Sequence, residues 1–150
     1  MRNSFIDLDS ESEDEYKEVF LRAYVMGCHG VGKTSFIKRL LYNTFSITYY
    51  PTRAIEIYKK KTFFRLGIKL SIELVDVPQG FLIKDVQPND IMVIIHDEKE
   101  YDIPKIPIRT WLLYRKKHLN ICPSYRKIRI ENMENIGIDT FINSLIQEYT

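Results

Sequence analysis

The chain has too few cysteines to be held together by disulfides: Cys28 and Cys122 are the only two in 150 residues, where a small secreted scaffold carries a framework of them. It also lacks any long apolar run. The longest, IMVII at 91–95, is far below the roughly 20 residues that span a bilayer. The N-terminus is acidic rather than basic and then apolar, unlike a secretory leader. These absences predict a soluble, reduced, cytoplasmic protein. No internal repeat is present, and no low-complexity segment beyond the first residues. What the chain does have is apolar material, 45% hydrophobic with 13% aromatic, ample for one packed core in a chain the length of one ordinary domain.

The net charge of +2 hides an asymmetry. Residues 1–18 carry Arg2 and Lys17 against seven carboxylates, a net −5, so the remaining 132 residues carry +7. DLDSESEDEYKE has few large apolar groups to bury, which predicts a solvated, disordered tail over 1–18 ahead of a domain at 19–150. Ser10 and Ser12 each have a glutamate three residues later, the pattern of an acid-directed kinase site, although a solubilising tail is the simpler reading.

VFLRAYVM (19–26) reads as a buried strand ending at a glycine. From Lys33 to Asn43, Phe36, Ile37, Leu40 and Leu41 recur at helical spacing on one face. AIEIYKKK and IKLSIELVDV read as the two arms of a hairpin turning near Gly67. In the second arm Ile68, Leu70, Ile72 and Leu74 alternate with Lys69, Ser71 and Glu73, giving one dry and one wet face. IMVIIH (91–96) and IPIRTWLLY (106–114) read as two more strands. Over 137–149 the spacing of Ile138, Phe141, Ile142, Leu145, Ile146 and Tyr149 predicts an amphipathic helix. Alternating strands and helices predict an α/β domain with a mostly parallel sheet flanked by helices.

Between the first strand and the first helix lies GCHGVGKT (27–34), which fits GxxxxGK[ST]. Glycines at Gly27, Gly30 and Gly32 let a backbone turn its N–H groups inward, and the helix that follows points its positive dipole end at the same place. Lys33 would neutralise the outer phosphates of a nucleotide and Thr34 would offer its hydroxyl to magnesium. Cys28, beside a helix N-terminus, is a candidate for a lowered thiol pKa, although a small packed side chain is the simpler role.

GCHGVGKTSFIKRLLYNTFSITYYPT resembles the phosphate loop, first helix and first switch of the Ras superfamily of small GTPases, and is similar to its Rab and Ran branches. The match covers 19 to about 97 well and the rest loosely. The resemblance implies a P-loop NTPase fold that binds GTP or GDP with Mg2+. It places nucleotide contacts on Gly27, Cys28, His29, Gly30, Val31, Gly32, Lys33, Thr34 and Ser35. Phe45 falls where the family packs a ring against guanine, or else is a core residue ending the helix. Tyr49 or Tyr50 would close over the phosphates. Thr52, 18 residues after Thr34, matches the switch threonine that reaches magnesium and the γ-phosphate. Asp76 matches the aspartate that holds magnesium through water. The implied metal set is thus Thr34, Thr52 and Asp76, and the implied partner is a protein effector or regulator at the Thr52 region.

Several elements depart from the family pattern. DVPQG (76–80) stands where the family has DxxGQ, so Gly80 occupies the place of the glutamine that orients the attacking water. Gln79 is the candidate catalytic residue only if a local slip lets it stand in. His29 occupies a position beside the γ-phosphate where a small residue is usual. Both changes predict slow or absent hydrolysis. Of the guanine-reading NKxD, laid over Arg115, Lys116 and His118, only Lys116 matches. Hydrogen bonds to charged groups are worth about 1.5–3 kcal/mol, so losing the carboxylate predicts guanine binding weaker by roughly 10- to 1,000-fold. The SAK element falls on Glu131–Met133 and does not match, leaving Glu131 as the one candidate substitute acceptor.

The intervals from Asp76 to Arg115 and from Arg115 to Glu131, 39 and 16 residues, are too short for the family's strand-and-helix units. The third and fourth helices are therefore expected to be trimmed or replaced by loops, with one sheet face less covered. The basic run Arg115, Lys116, Lys117, His118, Arg126, Lys127 and Arg129 has no accompanying RNA-binding motif, so no nucleic-acid partner is expected. QEYT at the end has no cysteine for a prenyl anchor, so no lipid anchor is expected. Three functions remain in play: a divergent GTP-binding switch or decoy, possessing at most a weak GTPase activity; a nucleotide-free pseudo-GTPase interaction module; and a P-loop kinase or ATPase of different lineage, which fits the loop but not YYPT at its distance.

Overall fold

A computed structural model describes residues 15–28, 30–44, 54–97, 101–115, 126–131 and 134–150. Its centre is a mixed seven-stranded sheet. The strands are β1 (Lys17–Met26), β2 (Glu56–Ile57), β3 (Lys61–Arg65), β4 (Ile68–Asp76), β5 (Ile91–His96), β6 (Arg109–Tyr114) and β7 (Arg126–Arg129), with helices α1 (Lys33–Tyr42) and α2 (Ile138–Gln147). The order across the sheet is β2, β4, β1, β5, β6, β7, with β3 also on β4. β4, β1, β5, β6 and β7 run parallel, while β2 and β3 run antiparallel to β4. The chain is therefore an α/β protein, as the alternation of elements predicts.

The buried residues of one sheet face form a single core with both helices. Leu21, Ala23 and Val25 of β1, Leu70, Ile72 and Leu74 of β4, Val93 and Ile95 of β5, and Trp111 and Leu113 of β6 meet Phe36 and Ile37 of α1 and Phe141, Ile142 and Leu145 of α2. Phe141 is the junction, edge-on to Phe36 at 5.6 Å and to Trp111 at 6.4 Å between ring centroids. Such pairs add about 0.5–1.5 kcal/mol to the burial itself. Both predicted helices form, each within a few residues of its expected bounds. α2 is entered through Gly137 at φ 88°, where a Cβ would lie 2.1 Å from the Arg129 carbonyl oxygen. No other residue fits that corner without moving backbone.

The opposite face carries no helix among the described residues. Its upper half is covered by irregular segments: Ile83 and Val86 from the connection after β4, and Tyr101, Ile103, Ile106 and Ile108 from the connection after β5, pack on Tyr24, Met26, Val75, Met92, Ile94 and Leu112. Its lower half is open, and cross-strand polar pairs satisfy one another there. Arg22 meets Glu73 at 2.6 Å, Lys69 meets Glu18 at 3.4 Å, and the Thr62 and Ser71 hydroxyls lie 3.0 Å apart.

Four expectations are corrected. The strand expected over AIEIYKKK is interrupted: Ile57 pairs with Val75 but Lys61 pairs with Ile72, so the three residues 58–60 face only two on β4. This one-residue bulge turns Tyr58 to the helix-side core and Lys60 to the open face, where its ammonium lies 5.3 Å from the Phe20 ring centroid. Downstream it gives Lys61 the phase to donate to the carbonyls of Leu40 and Leu41 at 3.0 and 3.3 Å. Those are orphan acceptors at the end of α1. The strand over IPIRTWLLY is shorter than its apolar run because residues 106–108 instead plug the second face. β7 was not expected at all, since RKIR carries three cations in four residues and buries only Ile128. β1 begins at Lys17, inside the span assigned to the tail, and residues 1–14 lie outside the described residues.

Candidate functional site

β1 has β4 on one side and β5 on the other, and the chain leaves it in one direction before returning in the other. The carboxyl end of such a strand is a topological switch point, where connections diverge and leave a crevice. The sequence places 27–34 there. Gly27 (φ 147°) passes so close to β5 that a Cβ would sit 2.4 Å from the Ile95 carbonyl oxygen. Gly30 and Gly32 adopt φ of 75° and 102°, conformations a side chain resists. Val31 folds back, its N–H 3.4 Å from the Cys28 carbonyl, and is buried against the loop. Gly32 caps α1 without a side chain, and α1 has no acidic residue of its own in its first turn, so no carboxylate of the helix itself faces the positive end of its dipole.

Lys33 is buried, and its ammonium donates to the carbonyls of Gly27 at 3.0 Å and Cys28 at 2.9 Å. Two of its three N–H bonds thus hold the loop closed around it. Burial pushes its pKa below the ordinary lysine value, while the nearby Asp76 and Cys28 push it back up. Thr34, one residue on, donates its hydroxyl to Oδ2 of Asp76 at 2.5 Å. Asp76 is fully buried at the end of β4, and the Val77 N–H continues the pairing to the Val25 carbonyl at 3.0 Å. The carboxylate is thereby fixed beside the loop by the sheet itself. Ser35 lies half-buried in the first turn of α1, and Cys28 is buried.

After Asp76, Gln79 and Gly80 form an exposed turn, with Gly80 at φ 88°. Gln79 lines a cavity of about 450 Å³ with Met26, Phe81, Leu82, Tyr101 and Pro104. At the far side, Asp97, Arg115 and Glu131 follow the carboxyl ends of β5, β6 and β7. The Arg115 guanidinium lies 3.9 Å from Asp97, and Glu131 exchanges both backbone hydrogen bonds with Ile136. Asp97 was not singled out from the sequence. The signal was there, since it follows the buried run IMVIIH as Asp76 follows its own strand.

The structure thus brings together Gly27, Cys28, Gly30, Val31, Gly32, Lys33, Thr34, Ser35 and Asp76. His29, Phe45, Tyr49, Tyr50, Thr52, Lys116 and His118 lie outside the described residues. No group of three or more His, Cys, Asp or Glu gathers among the described residues, so the oxygen donors at hand are the Thr34 hydroxyl and the Asp76 carboxylate. Such hard oxygens suit magnesium, which keeps much of its water shell and takes few protein ligands. No helix is long and apolar enough to cross a membrane among the described residues. No family model matches the sequence, and no curated protein matches it.

Proposed function

We propose that the chain is a divergent, Ras-like small GTP-binding protein of the P-loop NTPase fold. In this reading it holds nucleotide phosphates and magnesium, hydrolyses GTP slowly or not at all, and signals to a protein partner through the Thr52 region in the cytoplasm. The observation that carries the reading is the junction of Lys33 with the Thr34–Asp76 pair at the end of β1. A cation, positive-φ glycines and a helix start meet in one loop, with a hydroxyl and a buried carboxylate beside it. That is the chemistry a phosphate–magnesium pair requires.

In this reading Lys33 meets the outer phosphates while Thr34 and Asp76 orient the ion directly or through its water. Thr52 completes the metal set. Bound magnesium would supply charge neutralisation between phosphate oxygens. Gln79 is the candidate within the turn itself for orienting a water, and Gly80 can contribute nothing of the kind. His118 stands in the sequence where the family's aspartate accepts from guanine N1–H and N2–H₂, and Arg115 offers only donors, so in this reading the base is held weakly and without strict guanine preference.

A second reading, a nucleotide-free interaction module, draws support from the helix-free face and from the exposed Phe81 and Leu82 beside the loop. Calorimetric titration with GDP, a non-hydrolysable GTP analogue and ATP, each with and without magnesium, separates them. Magnesium-dependent heat that is lost in Lys33→Ala is expected. No heat with any nucleotide at high micromolar concentration sinks the first reading and leaves the second.

A further inference from the structure

The open lower half of the helix-free face is not a bare polar sheet. Phe20 of β1 and Phe64 of β3 are 57% and 43% exposed there, and Ile57 above them is 66% exposed. Large apolar side chains of this kind, grouped on one surface, mark a contact site. The surface is bordered by lysines. The bulge delivers Lys60 to the Phe20 ring, and Lys69 lies 5.8 Å from the Phe64 ring centroid. Lys69 is already paired with Glu18, whereas no carboxylate among the described residues pairs with Lys59 or Lys60.

The chain itself enters the described structure on this surface. Tyr16, immediately before β1, packs edge-on against Phe64 with ring centroids 5.1 Å apart. The point at which residues 1–14 join the described chain is therefore beside this face. Residues 1–14 hold Asp7, Asp9, Glu11, Glu13 and Asp14 against Arg2 alone, together with Phe5, Ile6 and Leu8. Their reach is ample. Fourteen residues extend up to about 46 Å, whereas the stretch of β1 from Lys17 to Tyr24 is about 23 Å long at strand rise.

We propose that residues 1–14 are the occupant of this face, an intramolecular strap whose carboxylates meet Lys59 and Lys60 and whose Phe5, Ile6 and Leu8 cover Phe20 and Ile57. The same acidic composition that reads as a solvated tail is complementary to the one surface beside which it is tethered. Tethering favours such a contact because the segment's effective concentration at the face is high whatever its intrinsic affinity. The strap requires no nucleotide, so it stands or falls separately from phosphate binding.

The test compares the full chain, a chain lacking residues 1–14, and the full chain with Lys59→Glu and Lys60→Glu together, using an apolar-surface dye and hydrogen exchange of β1 and β3. A several-fold rise in dye fluorescence and faster exchange are expected on truncation. A smaller rise is expected in the double variant and in the wild type at high salt, where screening weakens the contact. A synthetic peptide of residues 1–14 should reverse the rise in the truncated chain and fail to do so when the two lysines are reversed. Equal dye binding and exchange in full and truncated chains overturn the proposal. So does equal binding of a single-stranded oligonucleotide to both, which would make the face an open platform. If the truncated chain does not fold, an unchanged signal in the double variant and at high salt overturns it as well.

Discussion

The two faces of the sheet are made from the same strands and differ in what lies over them. On one face two ten-residue helices enclose Phe36, Trp111 and Phe141 completely. On the other, the connections 77–90 and 97–108 supply single side chains such as Val86 and Ile106 to the upper half, and the lower half keeps Phe20 and Phe64 in solvent. A crossover between parallel strands takes at least about 10–12 residues when its helix is included, and these connections have 14 and 12. Their described residues return the chain to the sheet as irregular segments and build no second helical layer. Stability is therefore concentrated on one side, and the other is available for contacts.

The sharpest way to break this comparison is to truncate one aromatic on each face. Phe141→Ala removes a fully buried ring that joins both helices to Trp111 and should cost about 3–5 kcal/mol. Phe20→Ala should change stability by less than about 1 kcal/mol. Urea denaturation of the two variants measures both, and similar losses would show the open face to be as structural as the covered one.

The next largest effect falls at the end of β1, where the two faces meet. Lys33→Ala removes the one lysine or arginine of the loop 27–34, and hydrogen bonds to charged groups are worth about 1.5–3 kcal/mol. Affinity for a nucleoside triphosphate should fall about 10- to 100-fold. Asp76→Asn should reduce magnesium dependence more than phosphate affinity itself, because it leaves Lys33 in place. Titration with and without magnesium distinguishes the two variants.

The same lysine predicts a pH dependence. Its pKa is lowered chiefly by burial, so the ammonium that a phosphate requires begins to lose its proton at a lower pH than a free lysine does. Affinity should therefore decline as pH rises toward the ordinary value of 10.5, beginning earlier than for an exposed lysine. In Lys33→Met that decline should be absent. Titrations across the alkaline range check it.

Much of this was legible in the sequence. α1, α2, β1, β4 and β5 declare themselves because their buried positions repeat at the periods of helix and strand, and the loop declares itself by its glycines. Asp76 was legible through the family resemblance, since an aspartate ending a strand is by itself an ordinary start to a loop. β7 was hidden because an edge strand needs few apolar residues, and Arg126, Lys127 and Arg129 resemble a solvated basic run. Arg126 in fact pairs with Glu148 at 2.8 Å and covers the Trp111 ring at 4.7 Å, a tertiary use that no local pattern reports. The bulge at 58–60 was hidden for another reason, since register belongs to the pair of strands and neither sequence alone contains it.

That bulge also carries the smallest of the expected effects. Because Tyr58 is turned to the covered face, its phenol pKa is pushed up to about 12, first by burial and then by the charges of Glu56, Asp76 and Tyr42. An unfolded chain would ionise this group near the ordinary value of 10.0. Between those two values the unfolded state releases a proton that the folded state retains, so folding loses stability as pH rises through the window. The contribution is fully present below pH 10 and gone above about 12. Tyr58→Phe, which keeps the ring and deletes the hydroxyl, should flatten that part of the stability profile while leaving neutral pH little changed. If the wild type and Tyr58→Phe lose stability in parallel across the window, Tyr58 is as open to water as Lys60. The bulge would then not divide the covered face from the open one.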